Sequence, residues 1–167
     1  MEEILMTTSL KLVLVADTFH PLRNSGAIQL QDLACEMAAQ GHKVTVIIPS
    51  HTTTNSSQIQ QSHGYRVLKL KAPKTKDINY ISRTLNEIAM PYFMIYNLRR
   101  SDLKSERWDG VIWYSPSIFH GPLIKFLKKA NQCKSYLILR DIFPDWALEV
   151  GLIKKGPIYQ FFAAVAA

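Results

Sequence analysis

Hydrophobic residues along the chain fall into short runs separated by segments of helical spacing. The first run, KLVLVAD at 11–17, is apolar almost throughout, which is typical of a buried strand in a parallel sheet. Similar runs at 43–49, 65–71, 109–115 and 134–141 predict four further strands. Strands that alternate with helices predict an α/β fold, a Rossmann-like parallel sheet with helices on both faces.

Three longer segments carry apolar residues every three or four positions. They predict helices from about residue 27 to 41, from 77 to 100 and from 117 to 131. Gly41 is expected to end the first helix, because glycine readily adopts the left-handed conformation of a helix end. Pro91 removes a backbone donor inside the second helix and predicts a kink there.

The remaining segments predict less regular structure. HTTTNSSQIQQSHG at 51–64 is polar throughout and predicts a mobile loop. IFPDWALEVGLI at 142–153 predicts a short or broken helix, and a last helix is expected to start near Pro157. The chain ends in FFAAVAA without a capping residue, so Phe161, Phe162 and Val165 are expected to be exposed. We therefore expect a flexible segment at 1–9 and one domain at 10–167, truncated before a second domain.

Polar side chains follow three of the predicted strands. Ligands of open parallel sheets lie beyond the carboxyl ends of the strands. Segments 17–26, 114–121 and 140–146 are therefore expected to surround one crevice. The start of a helix is a natural anion site, because its first N–H groups are unpaired. Ser25 is expected to cap the first helix, and Gly26 permits close backbone approach of a ligand.

A dinucleotide-binding site is a poor fit to this crevice. That site requires G-x-G-x-x-G after the first strand and an acidic residue at the end of the second. Here the loop offers only Gly26, and the second strand ends in Pro49 and Ser50. A P-loop is absent from the sequence as well. At this point the loop remains either a phosphate site or a helix cap alone.

Positive charge is concentrated in the middle of the chain. The net charge is +7, of which residues 64–107 contribute +6, while residues 1–63 carry −2. Such a region suits phosphates, anionic lipid or nucleic acid, unless it is only a solvated face. Cys35 and Cys133 are far apart in sequence, which favours a reducing cytosol and two buried thiols over a metal site.

Three motifs in the sequence carry a family resemblance. They are HPLRNSGAIQLQDLACEMAAQGHKVTVIIP, WDGVIWYSPSIFHGPLIKFLKK and LILRDIFPDWALEVGLI. With them the chain resembles the N-terminal domain of glycosyltransferase family 4, of the two-Rossmann-domain (GT-B) type, in the WbuB-like subgroup. The resemblance implies a retaining hexosyltransferase that moves a sugar from a nucleotide-sugar to a lipid-linked saccharide. The expected process is the synthesis of bacterial surface polysaccharide, such as O-antigen, lipopolysaccharide or capsule.

The resemblance also implies how the domain works with its partners. No metal or other cofactor is expected, and the donor nucleotide would sit mainly on a separate C-terminal domain. The enzyme would act in the cytoplasm, peripherally at the inner face of the plasma membrane. We expect this domain alone to be inactive.

Candidate site residues follow from the same resemblance. Ser25 and Gly26 stand where many members have two glycines, in a loop near the donor phosphates. Arg140 and Asp141 stand where members often have a His-Asp pair. Arg140 is expected to hold a phosphate oxygen or sugar hydroxyl, and Asp141 to orient the acceptor hydroxyl or take its proton. Asp141 alternatively forms an ion pair or caps a helix.

Four further side chains are assigned to substrate binding. His20 and His120 are expected either to donate hydrogen bonds to the acceptor or to be structural. Ser115 lies in the second crevice segment, and Trp146 either stacks on a sugar or belongs to the cleft wall.

The alternative hypothesis is a non-catalytic α/β module that binds anionic lipid or nucleic acid through its basic region. Nucleic acid is not the expected partner, because the basic residues flank apolar helices rather than alternate with aromatic residues. Two such segments predict shallow docking on an anionic membrane surface. Their members are Tyr92, Phe93, Ile95, Tyr96 and Leu98 beside Arg99, Arg100 and Lys104, and Ile118, Phe119, Leu123, Phe126 and Leu127 beside Lys125, Lys128 and Lys129.

Overall fold

A computed structural model describes residues 8–115, 118–140, 145–151 and 154–166. Its strands are β1 (Lys11–Val15), β2 (Lys43–Ser50), β3 (Ser57–Ser62), β4 (Tyr65–Lys71), β5 (Gly110–Tyr114) and β6 (Lys134–Ile138). Its helices are α1 (Ser25–Ala39), α2 (Tyr80–Leu98), α3 (Gly121–Asn131), α4 (Asp145–Glu149) and α5 (Pro157–Ala166). One 3₁₀ turn, Ile118–His120, precedes α3.

The strands form one sheet in the order β3-β4-β2-β1-β5-β6. All neighbouring strands are parallel except β3 and β4, so the predicted Rossmann-like α/β fold is confirmed. The prediction of a loop over 51–64 was wrong, because β3 pairs antiparallel with β4. His63 and Gly64 make the turn between them, both at positive φ. An edge strand needs few apolar residues, and in β3 the half-buried Ile59 is the one that packs against the core.

Helices cover both faces of the sheet. The side chains of β1 alternate between these faces, as the pleat of a strand requires. Leu14 packs on the α1 side, in a core that includes Leu30 and Ala34. Val13 and Val15 pack on the other side, in a core with residues of α2 and α3. The sheet is therefore buried on both faces near β1.

The cap of α1 is Asn24, not Ser25 as predicted. The Asn24 side-chain oxygen accepts a hydrogen bond from the Ala27 N–H at 2.8 Å. The Asn24 amide nitrogen donates to the Thr18 hydroxyl at 3.0 Å, and this bond orients the cap from the end of β1. Ser25 is the first residue of the helix, exposed to solvent. Gly41, at φ 89°, follows the end of α1 as predicted.

Helix α2 is anchored to the sheet by a buried amide. The Asn97 side chain donates to the Lys71 carbonyl at the end of β4, at 2.7 Å. Asn79 caps the start of the helix through the Ser82 N–H. Pro91 lies inside α2, which continues through it as one helix.

Several expectations concern the ends of the chain and the cysteines. Phe162 was expected to be exposed, but it is half-buried and its ring contacts Phe119 edge-on, with 6.4 Å between centroids. The side chains of Phe161 and Val165 lie outside the described residues, as do residues 1–7. Ser9 donates to the Gly41 carbonyl at 2.6 Å. Both cysteines are free thiols, half-buried rather than buried.

We expect Asn24→Ala to lower the free energy of unfolding by about 1 kcal/mol, because it removes the α1 cap. Ser25→Ala is the matched control, since its side chain makes no capping bond, and its effect should stay within about 0.5 kcal/mol. Urea denaturation of both variants measures the difference. A larger loss of unfolding free energy for Ser25→Ala than for Asn24→Ala would mean that Ser25, not Asn24, caps α1.

Candidate functional site at the carboxyl ends of β1 and β5

The topology of the sheet selects one place for a ligand. From β1 the chain moves outward to β2 and then β4, and it later returns to place β5 on the other side of β1. This reversal makes the boundary between β1 and β5 the switch point of the sheet. Open α/β sheets bind ligands in the crevice at the carboxyl ends of the strands beside such a point.

Arg140 lies at this edge, just after β6, and two side chains hold its guanidinium. Its Nη1 donates to Gln29 Oε1 at 2.9 Å and to the Tyr114 hydroxyl at 3.3 Å. Gln29 belongs to the first turns of α1, and Tyr114 ends β5. Both bonds use one nitrogen, so the other N–H groups of this exposed guanidinium have no partner among the described residues. Arg140 can therefore bind a ligand without leaving its present supports.

Tyr114 also explains why residue 26 is a glycine. A Cβ added at Gly26 would lie 2.6 Å from the Tyr114 hydroxyl oxygen, far inside normal contact. Thr18 fills the other side of the same space, at 3.4 Å. The buried Tyr114 thus packs directly against the start of α1.

The start of α1 retains free backbone donors. Asn24 satisfies the Ala27 N–H, but the described hydrogen bonds include none from the N–H groups of Ser25 or Gly26. These donors carry the partial positive charge of a helix N-terminus. Together with the Arg140 guanidinium they form an electropositive corner that suits a phosphate or carboxylate group.

A buried histidine lies behind this edge. His120 is fully buried, and neither ring nitrogen has a hydrogen-bond partner in the described part of the chain. Burial lowers the pKa of His120, and the negative charge of Asp17 opposes that shift only in part. The imidazole is therefore neutral at neutral pH, and a substrate would reach it only after the covering residues move.

Arg83 is a charged residue of α2 that the sequence analysis did not single out. Its guanidinium binds Glu87 at 2.9 Å, and this hydrogen bond raises the pKa of Arg83. The negative charge of Asp17 is the smallest of the causes that act on this pKa, and it acts in the same direction.

The remaining predicted site residues are placed as follows. Ser115 is buried, and its N–H donates to the Ile138 carbonyl at 3.1 Å, which extends the pairing of β5 with β6. His20 is exposed in the loop after β1. Asp141 lies outside the described residues, as does the side chain of Trp146. The structure thus brings Gly26 and Arg140 to one corner, through Tyr114.

The described residues offer neither a metal-binding cluster nor a membrane-spanning helix. They contain no group of three or more His, Cys, Asp or Glu side chains that could hold a metal ion. In the same ranges, no helix combines the length and apolar character needed to cross a membrane.

The comparisons with known proteins find likeness in solved structures. No protein-family model and no curated protein matches the sequence. The catalytic domain of starch synthase IV from Arabidopsis thaliana, bound to ADP and acarbose, is 12% identical with a TM-score of 0.53. The match covers 78% of this chain but 33% of that one. The C-terminal domain of a hydrogenase from Pyrococcus furiosus is also 12% identical, with a TM-score of 0.52 over 79% of this chain and 94% of that one.

These matches show the fold. The chain has the Rossmann-like α/β architecture, consistent with half of a GT-B glycosyltransferase, and it spans about a third of the starch synthase chain. The hydrogenase domain shares a similar architecture, so the fold by itself does not select an activity.

The burial of His120 predicts a pH dependence of stability. Its pKa is lowered on folding, so the unfolded chain binds the proton first. The free energy of unfolding should be constant above the usual histidine pKa of 6.5 and fall as the pH drops below it. The expected slope approaches about 1.4 kcal/mol per pH unit.

Urea denaturation between about pH 5 and 8 checks this prediction, with His120→Gln as the test variant and His51→Gln as the control at an exposed histidine. His120→Gln should flatten the curve, and His51→Gln should not. Equal curves for His120→Gln and the unchanged protein would contradict a buried neutral imidazole.

Proposed function

We propose that the chain is the acceptor-side, N-terminal half of a retaining glycosyltransferase. The observation that carries this proposal is the Arg140 guanidinium, held by Gln29 and Tyr114 beside the free N–H groups of α1. Sugar transfer from a nucleotide-sugar releases a charged diphosphate. An arginine and a helix N-terminus at one corner are suited to stabilise that charge.

The proposed substrates are a nucleotide-sugar donor and a lipid-linked saccharide acceptor. The motifs noted in the sequence support this assignment. The same motifs support the proposed membership of family 4 and its WbuB-like subgroup, and a role in O-antigen or capsule synthesis. The likeness to a glycosyltransferase domain supports the GT-B architecture alone. The donor nucleotide would bind a second, C-terminal domain, and the two domains would enclose both substrates.

Each site residue has a proposed role. Arg140 and the start of α1, at Ser25 and Gly26, would hold the donor diphosphate. Asp141 would orient the acceptor hydroxyl and take its proton, which needs a carboxylate close to that oxygen. No metal is required in this scheme, since fixed positive groups stabilise the leaving diphosphate.

The other residues would shape the acceptor side. His20 is exposed in the loop after β1 and is free to donate to a sugar hydroxyl. Trp146 would stack on a sugar ring. Ser115 and His120 are buried, and we assign them to holding β5 and its turn in place behind the substrates.

A membrane surface is the second proposed partner. A lipid-linked acceptor confines the reaction to the bilayer, here the cytoplasmic face of the plasma membrane. Exposed aromatic residues on α2, Tyr92, Phe93 and Tyr96, lie close in sequence to Arg99 and Arg100, which are exposed as well. This combination of apolar and basic side chains supports peripheral binding to anionic lipid.

A non-catalytic module that binds anionic lipid or nucleic acid remains the alternative, since a similar fold also occurs outside glycosyltransferases. The alternative predicts no sugar transfer even when this domain is joined to a donor-binding half. The two proposals therefore separate in an assay of sugar transfer.

We expect Arg140→Lys to lower kcat/KM at least about tenfold in an enzyme that joins this domain to its donor-binding half. Lysine keeps the charge but lacks the planar guanidinium, in which Nη1 bonds Gln29 and Tyr114 while the other nitrogens are left for a phosphate. A radiolabelled nucleotide-sugar and a water-soluble acceptor give the rate without any need for a membrane. Arg100→Lys is the control, and an unchanged rate for Arg140→Lys would remove Arg140 from the site.

The 167-residue chain alone should show no measurable sugar transfer with any nucleotide-sugar. Two-domain transferases react in the cleft between their halves, where both substrates are aligned and shielded from water. Incubation of the purified monomeric chain with radiolabelled donor and lipid-linked acceptor provides the test. Turnover under these conditions would mean that Ser25, Gly26 and Arg140 bind the donor without a second domain.

A further inference from the structure

A second cavity lies far from the candidate site, between the C-terminal ends of α2 and α3. Its volume is about 430 Å³. The buried side chains of Leu98, Leu103 and Leu127 line its apolar part. Exposed basic residues line its outer part, namely Arg99, Lys104 and Arg107. We call this cavity the α2–α3 pocket.

The positive charge of this pocket is not neutralised by neighbouring carboxylates. Arg99, Lys104 and Arg107 take part in none of the ion pairs found among the described residues. Glu106 also lines the pocket, but it already binds Arg66 at 2.8 Å and Lys11 at 3.2 Å. The hydrogen bond from Arg66 is the main cause that lowers the pKa of Glu106. An anion entering the pocket would therefore meet three cations, none of which is paired with a carboxylate of the described residues.

The helix ends at the pocket do not cancel this charge. C-terminal ends of helices carry partial negative charge, which by itself would disfavour an anion. Arg107 reduces that effect at α3, because its Nη1 donates to the Ala130 carbonyl in the last turn. The formal charges of Arg99 and Lys104 outweigh what remains.

Trp108 is a second observation that points to an occupant of the pocket. This pocket-lining residue is 4% exposed, and its indole N–H has no partner in the parts of the chain described. The Trp108 backbone N–H is satisfied separately, by Asn131 Oδ1 at 3.0 Å. Buried donors are normally paired, so an acceptor oxygen on an occupant would supply what the indole lacks.

An exposed stripe of α2 leads into the pocket. Ile81, Leu85, Tyr92 and Tyr96 follow the spacing of one helix face and are 78%, 61%, 60% and 56% exposed. Arg99 continues the same face, and its guanidinium lies 4.9 Å from the centre of the Phe126 ring, which lines the pocket. The first of the two basic and apolar segments noted in the sequence thus contributes an exposed surface. The second does not, contrary to the prediction, because Phe119, Leu123 and Leu127 are buried in the core.

We propose that the α2–α3 pocket binds an anionic membrane phospholipid, with the phosphate at Arg99, Lys104 and Arg107 and the first part of an acyl chain against the leucines. Charge complementarity favours an anionic head group, and the apolar interior favours a chain behind it. The continuous stripe on α2 favours a lipid in a bilayer over a free molecule. The proposal deepens the membrane association proposed above and does not depend on sugar transfer.

Vesicle binding by the intact chain tests this proposal. The probes are vesicles of phosphatidylcholine alone and of phosphatidylcholine mixed with phosphatidylglycerol. Ala130→Phe fills the pocket without changing charge, and Ala39→Phe adds the same side chain at an exposed position of α1, on the other face of the sheet. Binding to the anionic vesicles should fall about tenfold for Ala130→Phe and stay unchanged for Ala39→Phe. Equal binding by the two variants would overturn the proposal that the pocket binds the lipid.

Charge variants separate the pocket from general attraction to the membrane. Lys104→Gln and Lys128→Gln each remove one exposed charge, but only Lys104 lines the pocket. Lys104→Gln should weaken binding by about fivefold or more, and Lys128→Gln by less. Equal losses would mean that the surface as a whole attracts anionic lipid and that no single lipid molecule binds in the pocket.

Fluorescence quenching tests directly whether the lipid lies beside Trp108. Phosphatidylglycerol brominated on its acyl chains should quench tryptophan emission, and Trp108→Phe should lose most of this quenching. Circular dichroism first establishes whether each variant is folded. If Trp108→Phe is not folded, the quenching is measured in Ala130→Phe instead. Undiminished quenching in the folded variant would overturn the proposal. Stabilisation by inorganic phosphate that Ala130→Phe abolishes, without vesicle binding, would also overturn it by assigning the pocket to a soluble anion.

Discussion

Burial of β1 on both faces is the constraint on which the sheet and the candidate site depend. Val13, Leu14 and Val15 are completely inaccessible, and β1 has parallel partners on both sides. A strand held in this way leaves its backbone no contact with solvent until it ends. The first polar side chains after it, Asp17 and Thr18, therefore appear at the edge where β5 also ends. The switch point is thus a consequence of how the core is packed.

Tyr114 connects this buried core to the candidate site. Its side chain belongs to the core on the α1 side, while its hydroxyl touches the Gly26 position and accepts a bond from Arg140. The end of β6 and the start of α1 are thereby fixed relative to each other through one buried ring. A small residue at 26 is a condition of this arrangement. The packing of Tyr114 therefore accounts for Gly26, independently of any role of this glycine in ligand binding.

Sequence patterns predicted the buried elements well and the marginal ones poorly. The runs that became β1 and β2 are largely apolar because both faces are covered, and apolar runs are the strongest signal available. The polar β3 gives no such signal, because its stability comes from backbone pairing with β4. The choice between Asn24 and Ser25 as cap depended on Thr18, a contact between the loop and the end of β1. Arg140 was predicted from the family resemblance, whereas Tyr114 looked like any aromatic strand residue.

Helix α2 connects the two regions of the molecule discussed here. It follows the carboxyl end of β4, and its C-terminal end lines the α2–α3 pocket. Its 19 residues span about 28 Å at 1.5 Å per residue. A bilayer that supplied a lipid to the pocket would meet the exposed stripe of α2 along this whole length. The carboxyl edge of the sheet would then stand beside the membrane surface, where the proposed lipid-linked acceptor would reach it without leaving the bilayer.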